Sequence, residues 1–391
     1  MSKSNPSRRY FLRAGVVATA GIALSGCSES TDSSADGGEE GSERESDSSG
    51  EPDTESAEPE EVEPTEPDES PALEHLHGIS ADLRPPDDGG YHDLRYEWEA
   101  LGDSWYLELQ IPKALGEYYE NRSGTSGDFD QYLADTYDRD TVGVIVEEFT
   151  SFKERYELTK PEVVNLAVGF VQGLRYTEDS VTSSYDQYSN YPVETLINQG
   201  GDCEDTAILM AALLRELGYG SALLELPANS PDHMAIGVLG DSSINGTYYE
   251  VDSDRYYYLE TTGENWEVGE IPDEYSDANA AISEVGPHAS LIYNCETRYD
   301  EEVGEIVLES TVWNVGDSTA LSGKFYAEFE NRSETTQEAA SHQIGFLEPD
   351  NAEDFELRLQ PPEAEALRLR TTVTLDGSFH ESSVSEYQDP I

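Results

Sequence analysis

The chain has 391 residues, 83 of them acidic against 22 basic, for a net charge of −61. A field of that sign repels nucleic acid and anionic lipid surfaces, so neither is expected as a partner. The length suits two folded domains with further segments around them.

The charge is not confined to one tail. Between Ser28 and His75 there are 19 acids and one base, yet residues 76–391 still hold 64 acids against 17 bases, net −47. Self-repulsion strains a compact domain so charged, and molar salt, with a Debye length of about 3 Å, removes most of that strain. Acid enrichment spread through every domain predicts a halophilic protein and, with the export signal below, a haloarchaeal one.

In chain order, Ser7-Arg8-Arg9-Tyr10-Phe11-Leu12-Arg13 resembles a twin-arginine export signal, and the apolar stretch Ala14 to Leu24 is too short to span a bilayer as an ordinary helix. Leu24-Ser25-Gly26-Cys27 resembles a lipobox, in which cleavage leaves Cys27 as the lipid-bearing first residue. Residues 1–27 are read as this signal, and the mature protein as exported and lipid-anchored at the outer face of the cell membrane. Residues 28–74 are rich in Ser, Glu, Asp, Pro and Gly and too poor in apolar side chains to offset their ordering entropy, so they are read as a disordered acidic linker. His75 and His77 make only a weak metal pair beside it. With no Cys-x-x-Cys in the chain, no metal or cofactor is expected. Asn121, Asn245 and Asn331 each open an Asn-x-Ser/Thr glycan acceptor.

Residues 75–287 read as one mixed unit. Leu94 to Ile111 is strand-like, Ala114 to Asn121 and Asp140 to Tyr156 are helical, and Thr159-Lys160-Pro161-Glu162 is a capping-box start for a helix through Leu174. Then comes Gly200-Gly201-Asp202-Cys203-Glu204-Asp205, followed by Ala207, Met210, Ala211, Leu213, Leu214 and Leu217 at three- and four-residue steps. The spacing predicts a helix with Cys203 in its first turn and Gly218 as a left-handed terminator. Free amides and the positive end of the macrodipole there favour thiolate over thiol, while the neighbouring carboxylates oppose it. Asp202 or Asp205 can cap the helix, and the two glycines permit a close approach and a sharp turn.

Ser221 to Leu226 reads as a strand, as does Asp232 to Val238 with His233 at its entry. Thr247 to Val251 and Arg255 to Thr261 form a hairpin through Asp252-Ser253-Asp254. Cys203, His233 and Glu260 thus fall in the order of a cysteine acyl-transfer site. The thiol attacks a carbonyl carbon, the imidazole takes the thiol proton and returns it to the leaving group, and the carboxylate orients the ring. Singly, each residue type is more often a core or solvated side chain; order and spacing together favour the catalytic reading. The Cys203 amide supplies one oxyanion donor, and the second is unassigned. Cys295 has no partner pattern and reads as an inert buried thiol.

The runs GGDCEDTAILMAALLRELGY, DHMAIGV and YYYLETTG, with the upstream FVQGLRY and YPVETL segments, resemble the transglutaminase-like superfamily over roughly Leu158 to Pro272. The resemblance implies a papain-like α+β fold in which a helix bearing the cysteine packs on an antiparallel sheet bearing a histidine and an acid. The family's usual acid is aspartate; Glu260 departs from it, and Asp252 and Asp254 stand as substitutes. The implied chemistry is a thioester on Cys203, leading to peptide or amide hydrolysis or to transamidation, on a protein or peptide substrate. Hydrolysis is favoured, because nothing in the sequence shows an amine-binding subsite. A noncatalytic cell-surface binding or assembly module of the same fold is the competing reading.

After Gly286-Pro287 the pattern changes to strands at Ser290 to Asn294, Glu305 to Trp313, Gly323 to Phe329, Glu353 to Leu359 and Leu367 to Leu375, with turns at Asn314-Val315-Gly316 and Asp376-Gly377. Residues 288–391 are expected to form an immunoglobulin-like β-sandwich serving as spacer or binding module.

Overall fold

A computed structural model of the chain describes residues 9–13, 89–120, 122, 129–177, 189–227, 233–362 and 366–388. The acidic linker, the lipobox with Cys27, His75, His77 and Asn121 lie outside the described residues. Content is mixed α and β.

Strand β1 (Arg9–Arg13) and the hairpin strands β2 (Tyr91–Ala100) and β3 (Asp103–Pro112) form a three-stranded sheet with β3 in the middle. Leu101 and Gly102 make the two-residue turn with φ of 56° and 78°, the left-handed pair that matches strand twist. Period-two alternation along β3 buries Trp105, Leu107, Leu109 and Ile111. The sequence reading set Arg9–Arg13 aside as part of a signal; here it lies parallel on β3. Cleavage after Gly26 would remove that strand and leave β3 as an edge.

The helices are α1 (Lys113–Glu120), α2 (Asp130–Ala134), α3 (Thr136–Tyr156), α4 (Lys160–Gln172), α5 (Pro192–Asn198) and α6 (Cys203–Glu216). The expected capping box opens α4, with the Thr159 amide donating to the Glu162 carboxylate at 2.8 Å. Trp98 meets Phe170 edge-to-face at 5.3 Å, and Phe170 meets Phe149 at 6.0 Å, filling the space between the hairpin and α3 and α4. Two short strands, β4 (Arg175–Tyr176) and β5 (Gly200–Gly201), pair in parallel just before α6.

A five-stranded antiparallel sheet follows: β6 (Ser221–Leu226), β7 (His233–Gly240), β8 (Tyr248–Val251), β9 (Asp254–Leu259) and β10 (Ala281–Glu284), in the order β10-β6-β7-β9-β8. Helix α6 packs on β6 and β7 and against α3 and α4, so it is buried all round from Asp205 to Leu214. On the sheet's other face Leu224, Leu226, Ala235 and Tyr258 are covered by side chains from Ile271 to Ile282.

The C-terminal strands are β11 (Leu291–Asp300), β12 (Glu305–Asn314), β13 (Gly323–Asn331), β14 (Thr336–Ile344), β15 (Ala352–Leu359), β16 (Leu367–Leu375) and β17 (Ser378–Val384). They form two antiparallel sheets, β11-β12-β15 and β14-β13-β16-β17. Leu291, Tyr293 and Leu308 from one and Phe325, Leu369 and Val373 from the other share a core distinct from that around α6. Strands β14 and β17 were not expected from sequence. The Asp376-Gly377 turn has φ of 51° and 83°, as a two-residue hairpin requires.

The two cores are joined by buried polar contacts. Arg122, 7% exposed, pairs with Asp135 at 2.5 Å and with Glu381 of β17 at 3.3 Å, over the rings of Tyr118 and Tyr191. Thr136 donates through amide and hydroxyl to the Val315 carbonyl at 3.1 and 2.9 Å, and Arg215 pairs with Asp317. No helix among the described residues is long and apolar enough to cross a membrane.

Candidate active site

Cys203 is the first residue of α6, and its placement begins with the glycines. A Cβ on Gly200 would stand 2.5 Å from the Arg175 carbonyl oxygen, and one on Gly201 2.5 Å from Asp205 Cβ. Only glycine lets β5 lie against β4 and turn into the helix. Asp202 then caps α6, accepting from the Glu204 and Asp205 amides at 2.9 and 3.2 Å. Asp205 bonds back to the Asp202 amide at 3.2 Å and grips Asn190 twice, through amide and side chain, each at 2.7 Å. Both acids proposed as caps therefore act, one at each end of a capping box. The Cys203 amide makes no bond among the described residues and is available as one oxyanion donor.

His233 opens β7, and the antiparallel register between β7 and β9 pairs Ile236 with Leu259. Continuing that register carries Glu260, one residue past β9, alongside the first residues of β7. The His233 Nε2 and Glu260 Oε2 atoms are 3.0 Å apart. The other ring nitrogen, Nδ1, is left to face the Cys203 thiol, which is near enough to the ring to help raise its pKa. Thr206 of α6 meets Thr261 hydroxyl to hydroxyl at 3.1 Å, fastening the helix start to the segment that bears Glu260. The structure thus brings Cys203, His233 and Glu260 together. Asp252 and Asp254, the substitutes for Glu260, are exposed at the tip of the β8–β9 hairpin, at the opposite end of β9.

The Glu260 carboxylate is fully engaged. Oε2 faces His233 and accepts from the Tyr258 hydroxyl at 2.6 Å, while Oε1 accepts from the Thr262 amide and hydroxyl at 2.9 and 2.7 Å. Gln172 at the end of α4 holds the Glu260 carbonyl at 2.8 Å and that of Trp266 at 3.0 Å. Burial opposes charge on Glu260, but the bond and charge of His233 and the Tyr258 and Thr262 donors outweigh it, and the carboxyl titrates below its ordinary value. Burial likewise opposes charge on His233, yet the nearby Cys203 and the bond and charge of Glu260 push the ring up to about 9. The two shifts agree in direction: a buried imidazolium–carboxylate pair at neutral pH.

Beside His233 opens a cavity of about 260 Å³ walled by Phe129, Leu226, Pro227, Met234 and Ala281, with Glu204 and Glu225 among its lining. Burial and the neighbouring Asp202 raise Glu204 above the usual carboxylate range. Cys295 is 6% exposed on β11, and burial pushes its thiol up to about 11, where it is unreactive at neutral pH. Asn245 is exposed; the Asn331 side-chain carbonyl accepts from the Ser333 and Thr335 amides at 2.9 and 3.2 Å.

Sequence reasoning missed Tyr258 and Thr262, although period-two alternation about Glu260 signals them: residues two before and two after face the same way on an extended chain. The same logic explains how a glutamate serves here. Its longer arm reaches both the ring and this three-donor clamp.

Residues 131–271 match the family model of a transglutaminase-like domain. All three candidate residues and the whole of α6 fall inside that span, which starts earlier than the resemblance read from sequence motifs. Among solved structures, red sea bream transglutaminase aligns at 11% identity over 74% of this chain and 67% of that one, with a TM-score of 0.26. Thermotoga neapolitana β-glucosidase 3B in complex with glucose aligns at 11% identity over 26% of this chain and 17% of its own length, TM-score 0.19. The CARDB domain of a Pyrococcus furiosus protein, in complex with di-metal ions, aligns at 13% identity over 25% of this chain and 89% of that one, TM-score 0.18. Superpositions this loose carry no weight for function. No match was found among curated proteins.

Proposed function

We propose that the chain is a cysteine acyl-transfer enzyme working through a thioester on Cys203. The supporting observation is the 3.0 Å His233–Glu260 contact, with the Cys203 thiol beside the same ring at a helix N-terminus. A ring that keeps its proton to about pH 9 places a positive charge beside the sulfur and holds a proton ready for the leaving group. Attack on a peptide or amide carbonyl forms the C–S bond. Collapse of the tetrahedral adduct, its oxyanion on the Cys203 amide, expels the amine with the His233 proton, and water or a second amine then releases the acyl group. Hydrolysis is the favoured outcome, with a protein or peptide as substrate and the cavity beside His233 receiving one of its side chains.

The reading extends to the rest of the chain. Residues 1–27 are a twin-arginine signal with lipidation at Cys27, residues 28–74 a linker, residues 75–287 the transglutaminase-like, papain-like domain, and residues 288–391 an immunoglobulin-like sandwich. The protein then acts at the outer face of a haloarchaeal membrane. In molar salt, limiting iodoacetamide should label Cys203 well before Cys295, and His233→Ala should slow that labelling at neutral pH. Equal labelling of the two thiols in folded protein would sink the catalytic reading. Cys27→Ser should release the protein from the membrane fraction; retention would refute the lipid anchor.

A further inference from the structure

One aromatic ring lies against His233 without belonging to the line from Cys203 to Glu260. Tyr275 stacks flat on the imidazole, with ring centroids 4.5 Å apart and planes 9° from parallel. It belongs to the stretch between β9 and β10, in a pair of tight turns: its amide donates to the Pro272 carbonyl at 3.0 Å, and its carbonyl accepts from the Ala278 amide at 2.9 Å. The Tyr249 hydroxyl ties the Ala278 carbonyl at 3.2 Å. Tyr275, Ile271 and Ile282 pack against the Leu224, Leu226, Ala235 and Tyr258 cluster on the sheet. Turns and an apolar seat therefore set the ring in place independently of what it stacks on. Its hydroxyl makes no hydrogen bond among the described residues, which leaves the flat face as its contribution.

We infer that Tyr275 is a positioning residue for His233, holding the plane in which one ring nitrogen meets Glu260 and the other faces Cys203, and keeping water from that line of contact. This rests on the proposed Cys203–His233 pair. A hydrogen bond at one ring nitrogen fixes the direction of the imidazole toward Glu260 but leaves it free to tip about that line; a parallel ring on its face stops the tipping. A protonated imidazole is also attracted to the negative face of a tyrosine ring. The titratable groups facing His233 are Cys203 on α6, Glu260 after β9, Tyr275 itself, and Glu204 and Glu225 across the cavity.

The test compares Tyr275→Phe, Tyr275→Leu and Tyr275→Ala in the full chain in molar salt, reading the iodoacetamide rate at Cys203 against pH, the His233 titration by NMR, and the melting temperature. Phe keeps the face and should match the parent in all three. Leu keeps the apolar seat and the melting temperature but loses the face. Water reaching the ring weakens the contributions that raise its pKa together with the burial that lowers it, so the His233 midpoint should fall from about 9 toward 6.5. Alkylation at pH 7.5 should slow several-fold. Ala should do the same with a lower melting temperature. The inference is overturned if Leu leaves midpoint and rate unchanged, or if Phe loses as much as Leu. If His233→Ala reacts as fast as the parent, the proposed pair itself falls and takes the role of Tyr275 with it.

Discussion

Replacing Glu260 by glutamine would test the buried pair directly. The His233 ring sits at about 9 against an ordinary 6.5, a net gap equivalent to about 3 kcal/mol of preference for the charged ring, which Glu260 and Cys203 supply against the opposing cost of burial. Glutamine removes the charge and also brings an NH₂ group into a clamp whose four positions are all donors, so one end of the amide must face donors whichever way it flips. A mismatched buried donor costs about 1–3 kcal/mol, and a hydrogen bond to a charged group contributes about 1.5–3 kcal/mol. Glu260→Gln should therefore be about 2–4 kcal/mol less stable at pH 6, with the His233 midpoint lowered by at least one unit. His233 has a raised folded pKa, so its contribution is fully present below pH 6.5 and is lost as pH rises through about 9. Glu260 has a lowered one, so its contribution is present above the ordinary carboxylate value and is lost as pH falls through the folded value. The stability gap between parent and variant should accordingly narrow at both alkaline and acid extremes. Urea unfolding in molar potassium chloride across pH, with NMR of the His233 ring, measures both effects. A His233 midpoint within half a unit of the parent in the folded variant would refute the argument, while Glu260→Asp, keeping the charge but shortening the reach, should fall between the two.

Gly201→Ala must push Asp205 aside and should cost about 1–3 kcal/mol in denaturant unfolding, whereas Gly143→Ala on α3, with nothing within 4 Å of the new Cβ, should gain about 0.5–1 kcal/mol. Arg122→Ala strips the guanidinium from buried Asp135 and Glu381 and should destabilise the protein by about 3–5 kcal/mol; a neutral result would mean that the pairing is not what joins the two cores. On dialysis from molar salt to low salt, circular dichroism should be lost because residues 76–391 carry −47, and a signal that persists would defeat the charge argument.

The legible parts of the fold were those whose side chains follow a period. Helix α6, its Asp202 cap, the sharp Gly200-Gly201 approach and the β8–β9 hairpin all announce themselves locally, and Gly218 takes the left-handed φ of 73° expected of it. Strand β14 did not, because Thr336 to Gln343 faces solvent along most of its length and offers no apolar alternation. Strand β17 buries His380 and Glu381 where a strand normally buries aliphatics. Those residues are committed to tertiary partners, His380 accepting the Leu291 amide at 2.8 Å and Glu381 meeting Arg122. Tyr275 was invisible for a related reason: stacking between a loop tyrosine and a strand histidine 42 residues away in sequence leaves no local pattern.

Helix α6 is a rod of 14 residues, about 21 Å long, fastened at both ends. Asp205 and Thr206 secure the end that carries Cys203. At the other, Arg215 holds the Leu133 carbonyl at 2.8 Å and pairs with Asp317, which also accepts the His288 amide at 2.9 Å. A fragment stopping near Gly286 would lose Val315, Asp317 and Glu381 at one stroke, leaving Thr136, Arg215 and Arg122 each short of one partner on the piece that remains. Dissection at that boundary yields a wounded half, and heating the intact chain should melt both cores in a single cooperative transition.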